Sequence, residues 1–185
     1  MVNKIITLIL GYALTAGTLS GQSDILPIDE KTGQITYSDV VQADDIGKDV
    51  LYARAKEWFA LSFKSAQNVI QLDDNENGKL IGKASFGVDI TTLAKVNAGY
   101  VLFTVEIQVK DGRYKYIFSD FWHEAGTSSV ATPGDLRQEK PKGGLMTMGR
   151  KNWNSIKSQT NENALAMIRS LEETMTSTSD SDDDW

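Results

Sequence analysis

The stretch that decides the fold reads YVLFTVEIQVKDGRYKYIFSDFW and covers residues 100–122. Two runs of alternating apolar and polar residues flank Asp111-Gly112, a dipeptide typical of the type I′ turn in a two-residue β-hairpin. Such a loop pairs Lys110 with Arg113, and that pairing sets the register of both strands. The segment therefore predicts a pair of long antiparallel strands on either side of this turn.

The predicted register sorts the side chains of the hairpin onto two faces. One face is almost entirely apolar and is the predicted core side: Phe103, Val105, Ile107, Val109, Tyr114, Tyr116 and Phe118. The opposite, outer face is polar near the turn and apolar at its far end, where we expect Tyr100, Leu102, Phe121 and His123.

Asp120 is the charged residue that this register places on the core side. A buried carboxylate must be paired or hydrogen-bonded. We therefore expect Asp120 to form a salt bridge at the end of the sheet, for example with Arg54, or else to act as an acid or base.

Hydrophobic periodicity predicts the elements around the hairpin. A strand over 34–42 precedes a helix in which apolar residues recur every three or four positions. In that helix Trp58, Phe59 and Phe63 are core anchors expected to pack on the hairpin. The remaining predicted elements are strands over 69–72 and 79–88 and a second helix over 151–175.

The resulting order, β-α-β-β-β-β-α, is typical of the α+β class, an antiparallel sheet with its helices packed on one face. We place the α+β domain at residues 26–123. Residues 124–150 are rich in glycine and proline, which predicts a long irregular connection. Residues 176–185 are mainly Ser, Thr and Asp and predict a disordered acidic tail.

Residues 1–21 have the pattern of a secretory signal peptide. Lys4 supplies a positive charge, an apolar run follows over 5–14, and small residues lead to Gly21. The run is shorter than the roughly 20 apolar residues of a membrane span. We therefore expect cleavage near Gly21, export to the periplasm or the medium, and no membrane insertion of the processed chain.

Composition narrows the possible functions. The 185 residues include no cysteine and a single histidine, and the formal net charge is −6. Thiol nucleophiles, disulfides and cysteine-ligated zinc are therefore excluded, and an acidic chain without a basic patch is not expected to bind nucleic acid. The acidic turn at 73–78 lacks the ligand spacing of a calcium loop. We predict neither a metal nor a cofactor.

Five short motifs outside the hairpin carry a family resemblance: Leu26-Pro27-Ile28-Asp29, Gly33-Gln34-Ile35-Thr36-Tyr37, Leu51-Tyr52-x-Arg54-Ala55-x-x-Trp58-Phe59, Val69-Ile70-Gln71 and Gly78-Lys79-Leu80-Ile81-Gly82-Lys83-Ala84. They resemble a family of uncharacterised Bacteroidetes-type envelope proteins, the domain of unknown function numbered 4468. The resemblance covers about residues 26–123 and implies a TBP-like fold and an envelope location. Because the motifs determine the fold, it supplies no catalytic residues.

The first hypothesis for the function is an exported, non-catalytic binding module of the cell envelope. Exposed apolar clusters often mark interaction sites, so a peptide, a glycan or a partner protein would bind to Tyr100, Leu102, Phe121, His123 and the 124–150 connection. The alternative for this patch is that the second helix folds back and covers it, because the apolar stripe of that helix must also be buried. The oligomeric state stays open.

The second hypothesis is a hydrolase-type enzyme that uses Asp120, His123 and Glu124 in a cleft. His123-Glu124 is part of a zinc-hydrolase motif, but the second histidine of that motif is missing. A serine triad would also lack the Gly-x-Ser-x-Gly nucleophile turn. Whether these three side chains converge on one open pocket separates the two hypotheses.

Overall fold

The fold is described from a computed structural model of the chain, and the described residues are 25–126, 133–139, 141 and 148–177. The predicted signal peptide over 1–21, most of the predicted acidic tail and parts of the 124–150 connection lie outside these residues.

Within the described residues the elements follow the order β1 (Tyr37–Gln42), α1 (Lys48–Ser62), α2 (Ala66–Val69), β2 (Ile70–Asp74), β3 (Lys79–Thr91), β4 (Lys95–Lys110), β5 (Arg113–Glu124), β6 (Gly134–Asp135) and α3 (Arg150–Thr176). All neighbouring strands are antiparallel, in the order β1-β5-β4-β3-β2, and β6 pairs with the end of β5. The α+β class and the antiparallel sheet are as predicted. Strands β3 and β4 are longer than predicted, and β6 forms in the segment predicted to be irregular.

Helices α1 and α3 form one layer. They contact each other, while α1 also contacts β4 and α3 also contacts β3. Both helices therefore lie on the same face of the sheet, as predicted. In the described part of the chain no helix covers the opposite face, which we call the open sheet face. Its central side chains are Ile81, Lys83, Ser85, Tyr100, Leu102, Thr104, Ile117 and Trp122.

The packing of α1 on the hairpin is confirmed. The side chains of Trp58 and Phe59 are fully buried, and the rings of Trp58 and Phe118 meet edge to face with centroids 6.1 Å apart. A Cβ at Gly82 would lie 2.5 Å from the Phe59 ring. Glycine at this position therefore lets the helix approach the sheet closely.

Side-chain hydrogen bonds attach helix α3 at two places, to β3 and to α1. The Gln159 side chain bonds to the backbone of Asp89 on β3. Near the C-terminus of α3, Arg54 donates from Nη1 to the carbonyl oxygen of Met175 at 2.8 Å. A cation there complements the unpaired carbonyls that end a helix. Arg54 thus binds α3, and its predicted salt bridge with Asp120 is wrong.

The predicted register of the central hairpin holds from the turn as far as Thr104 and Ser119 and then shifts by one residue, so that Leu102 pairs with Trp122. Asp120 adopts a left-handed backbone with φ of 57° at this shift. This arrangement is a β-bulge, in which Asp120 and Phe121 together face one residue of β4.

The bulge moves every later side chain of β5 to the other face. Asp120 is exposed, whereas Phe121 and His123 are 6% and 0% exposed on the helix side. The predictions that Asp120 lies in the core and that Phe121 and His123 lie on the outer face are therefore wrong. Trp122 takes their place on the open sheet face.

Candidate functional site

A groove of about 970 Å³ lies on the open sheet face, at the end away from the hairpin turn. Three sets of residues line it: side chains of β4 and β5, the edge of β3, and the segment that runs from the end of α1 through α2. They are Tyr100, Leu102, Thr104, Asp120 and Trp122; Lys83, Ser85 and Gly87; and Ser62, Phe63, Lys64, Ser65, Asn68 and Val69, with Ala84 and Phe103 beneath. Its volume is near the upper end of typical ligand pockets.

The apolar part of the groove combines two exposed aromatic residues with a leucine. Tyr100 and Trp122 are 52% and 44% exposed, and Leu102, which pairs with Trp122 across the strands, is half-buried. Trp58 and Trp153, in contrast, are fully buried. Large aromatic side chains that stay in contact with water on a sheet face are typical of an interaction surface.

The structure divides the predicted binding residues between the two faces. Tyr100 and Leu102 line the groove. Phe121 and His123 are buried on the helix side, where the His123 ring contacts Trp153 of α3. The four residues therefore do not form one patch, and neither alternative, open or covered, describes all of them. Trp122, which also lines the groove, is not among the residues predicted from the sequence. The signal that could have found it is the apolar pair Phe121-Trp122 directly after Asp120, which interrupts the alternation of β5.

His123 lies in the layer between the sheet and α3. Its Nε2 is 3.0 Å from the carbonyl oxygen of Ala98, and its ring meets Trp153 edge to face with centroids 5.5 Å apart. Asp120 and Glu124 are exposed, and Glu124 pairs with Tyr100 of the open sheet face. The three residues of the hydrolase hypothesis therefore do not converge on one pocket.

The charged groups of the groove are Lys64, Lys83 and Asp120. All three side chains are exposed, and in the described part of the chain none takes part in an ion pair within 4 Å. Two cations and one anion at the rim, around an apolar floor, suit a ligand with both apolar and acidic groups.

A separate cluster of titratable side chains ties α1 to β2. The Tyr52 hydroxyl donates to one oxygen of Asp73 at 2.5 Å, and Lys56 donates to the other at 2.8 Å. The bond from Lys56 and then the bond from Tyr52 hold the pKa of Asp73 below its usual value, while burial raises the pKa of Tyr52. This cluster stabilises the helix–sheet packing and lies outside the groove.

Metal binding and membrane insertion each need a particular grouping of residues. Across the described ranges, no group of three or more His, Asp and Glu side chains is arranged to hold a metal ion. In the acidic turn, Asp74 instead accepts hydrogen bonds from the backbone and side-chain amides of Asn77. None of the described helices has both the length and the apolar character needed to cross a bilayer.

The antiparallel sheet with helices on one face and a bare opposite face defines an α+β protein with a TBP-like fold. A TBP-like protein from Parabacteroides distasonis ATCC 8503 is similar in structure, with a TM-score of 0.55 and 14% identity over 80% of this chain and 97% of that chain. A DUF4468 family protein from Bacteroides ovatus ATCC 8483 has a TM-score of 0.64 and 13% identity, over 84% of this chain and 93% of that chain.

The family model described as a domain of unknown function (DUF4468) with TBP-like fold matches residues 37–124. Residues 37–124 are therefore similar to the DUF4468 domain, which confirms the resemblance found in the sequence motifs. No curated protein matches the chain significantly.

Proposed function

We propose that the protein is an exported, non-catalytic binding module of the cell envelope and that its partner binds in the groove of the open sheet face. The observation that carries this proposal is the exposure of Tyr100 and Trp122 beside Leu102. Burial of apolar surface contributes about 25 cal/mol per Å², so a partner that covers these side chains gains binding free energy.

A binding role is supported over catalysis by the chemistry of the groove. Its described titratable side chains are two lysines and one aspartate, and the single histidine of the chain lies on the other side of the sheet. General acid–base catalysis works best with a group whose pKa lies near the operating pH, and histidine, the side chain whose ordinary pKa lies there, is not among the groove residues. Cysteine is absent from the chain as well. A binding function needs only the apolar and charged side chains of the groove, whereas hydrolysis also needs positioned catalytic groups.

Export is supported by the sequence of residues 1–21 and by the family resemblance to envelope proteins. An exported protein meets partners of the envelope, such as peptides, glycans or other proteins. The envelope is therefore the place in which to look for the partner.

The experiment that tests this function is capture of partners from envelope extract by the immobilised protein, followed by mass spectrometry. Leu102→Glu places a charge in the groove, and Leu165→Glu makes the same change on the exposed side of α3. We expect Leu102→Glu to lose at least about tenfold of the captured partner while thermal unfolding stays nearly unchanged. Equal capture by both variants would overturn the proposal.

A further inference from the structure

We infer that the groove takes an extended peptide segment, which pairs as an added β-strand with the free edge of β3 at residues 83–87. This inference rests on the proposed binding function and names its ligand class. The free edge, as we call residues 83–87, differs from the rest of β3 because strand β2 does not reach it.

The pairing of the strands leaves this edge open. Strand β4 pairs with β3 from Lys79 to Thr91, whereas β2 pairs with β3 only as far as Gly82, which faces Ile70. In the ranges that the structure describes, no strand therefore lies beside β3 after Gly82 on the side away from β4.

Gln159 reveals which backbone groups point outward. Its Oε1 accepts from the N–H of Asp89 at 3.0 Å, and its Nε2 donates to the carbonyl oxygen of Asp89 at 2.7 Å. Both backbone groups of Asp89 therefore face away from β4. Because backbone direction alternates with a period of two along a strand, the N–H and C=O groups of Gly87 and Ser85 face the same way.

The edge is thus closed at both ends and open between them. At one end, Ile70 of β2 pairs with Gly82. At the other end, the side-chain amide of Gln159 bonds to the backbone of Asp89 in the position that a neighbouring strand would take. The intervening residues 83–87 span about 17 Å at the usual rise of a strand. That length suits an extended segment of about five residues.

The position of the free edge in the groove points to a peptide as the occupant. Lys83, Ser85 and Gly87 line the groove together with Leu102 and Trp122. A peptide strand supplies donors and acceptors with the spacing of the edge, while alternate side chains contact the apolar floor. A glycan does not have this regular backbone spacing.

Charge further defines the peptide. Lys83 on the edge and Lys64 on the opposite wall favour an acidic side chain in the ligand. A second copy of the chain is disfavoured, because it would bring another net charge of −6 to the same place. Lys83 is also the kind of residue that protects exposed edges from non-specific pairing, so we expect the peptide to be selected rather than arbitrary.

The test begins with selection of a phage-displayed library of random linear dodecapeptides against the purified exported protein. An enriched peptide is then synthesised with one backbone nitrogen methylated at a time, and its affinity is measured by fluorescence anisotropy. We expect methylation to weaken binding at least about tenfold at every second position and little at the positions between. Only pairing with one strand edge produces this alternation.

A matched pair of variants tests the same contact from the protein side. Ser85→Pro removes the outward N–H at a position where an edge strand tolerates proline, and Ser85→Ala keeps that N–H. We expect the proline variant to bind the peptide at least about tenfold more weakly and the alanine variant to bind normally. If Ser85→Pro does not fold, the methylation series decides the question alone.

The outcomes separate this inference from the proposed function. Uniform methylation effects, no enriched peptide, a glycan ligand, or self-association that Ser85→Pro abolishes would each overturn the peptide inference. A glycan or a protein partner whose capture depends on Leu102 is still consistent with the proposed binding function. Capture that is unaffected by Leu102→Glu overturns the proposed function itself.

Discussion

Phe118 and Phe121 lie three residues apart on β5, yet both rings point to the helix side of the sheet and stack against Phe103. The ring centroid of Phe103 is 6.2 Å from that of Phe118 and 5.7 Å from that of Phe121, and the angle between the ring planes is 12° in both pairs. In a regular strand, residues three apart lie on opposite faces. The bulge at Asp120 makes this stack possible and, by the same shift, places Trp122 in the groove.

We expect the backbone of Asp120 to control the stability of this arrangement. Asp120→Gly suits the left-handed conformation and is expected to change the free energy of unfolding by less than about 1 kcal/mol. Asp120→Val places a β-branched residue there and is expected to cost about 1–3 kcal/mol. Urea denaturation of both variants measures the difference. Equal stability of the glycine and valine variants would contradict the bulge.

Sequence periodicity predicted the central hairpin and the packing of α1 because both depend on local patterns. Asp111-Gly112 set the register, and the stripe containing Trp58 and Phe59 showed which face of α1 is buried. The candidate site was predicted only in part, because one inserted residue at Asp120 reverses all later side chains. The free edge of β3 was not predictable, since it depends on where β2 ends in three dimensions.

Trp58 offers a test of the core between α1 and the sheet. Its side chain is fully buried, and in the described structure its Nε1 has no hydrogen-bond partner. We expect Trp58→Ala to lower the free energy of unfolding by about 3–5 kcal/mol. Trp58→Phe keeps an aromatic ring and removes the unpaired donor, so we expect a cost of only about 1 kcal/mol. Urea denaturation measures the free energy of unfolding of both variants. Similar losses in the two would contradict the assigned packing of Trp58 in the core.

Asp73 makes the stability of the protein depend on pH. Its hydrogen bonds lower its pKa in the folded state below 3.8, the usual value of an aspartate. Its contribution to stability is therefore present above that value and is lost as the pH falls through the folded pKa. The Asp73→Asn variant is therefore expected to be less stable than the unmodified protein at pH 7. The difference in stability between the two is expected to shrink between about pH 4 and pH 2.

Tyr52→Phe serves as the matched control for Asp73, because it removes one of the two hydrogen bonds and leaves the carboxylate. We expect its stability deficit at pH 7 to be smaller than that of Asp73→Asn and to narrow in the same pH range. Thermal unfolding at several pH values measures both variants. A deficit of Asp73→Asn that stays constant with pH would contradict the assigned role of its ionised form.

Export makes a prediction about the processed chain. We expect the N-terminus of the protein recovered from the envelope or the medium to lie at or near Gln22. Intact-mass analysis with N-terminal sequencing identifies it. Recovery of the full-length chain from the cytosol would contradict export.

Site-specific photo-crosslinking tests the central claim, that the open sheet face is the binding surface. A benzophenone amino acid is placed at Leu102 in the groove and, as the matched control, at Leu165 on the exposed side of α3. Both proteins are irradiated in host envelope extract. We expect a defined covalent adduct from position 102 and none from position 165. An adduct from position 165 alone, or the same adducts from both, would contradict it.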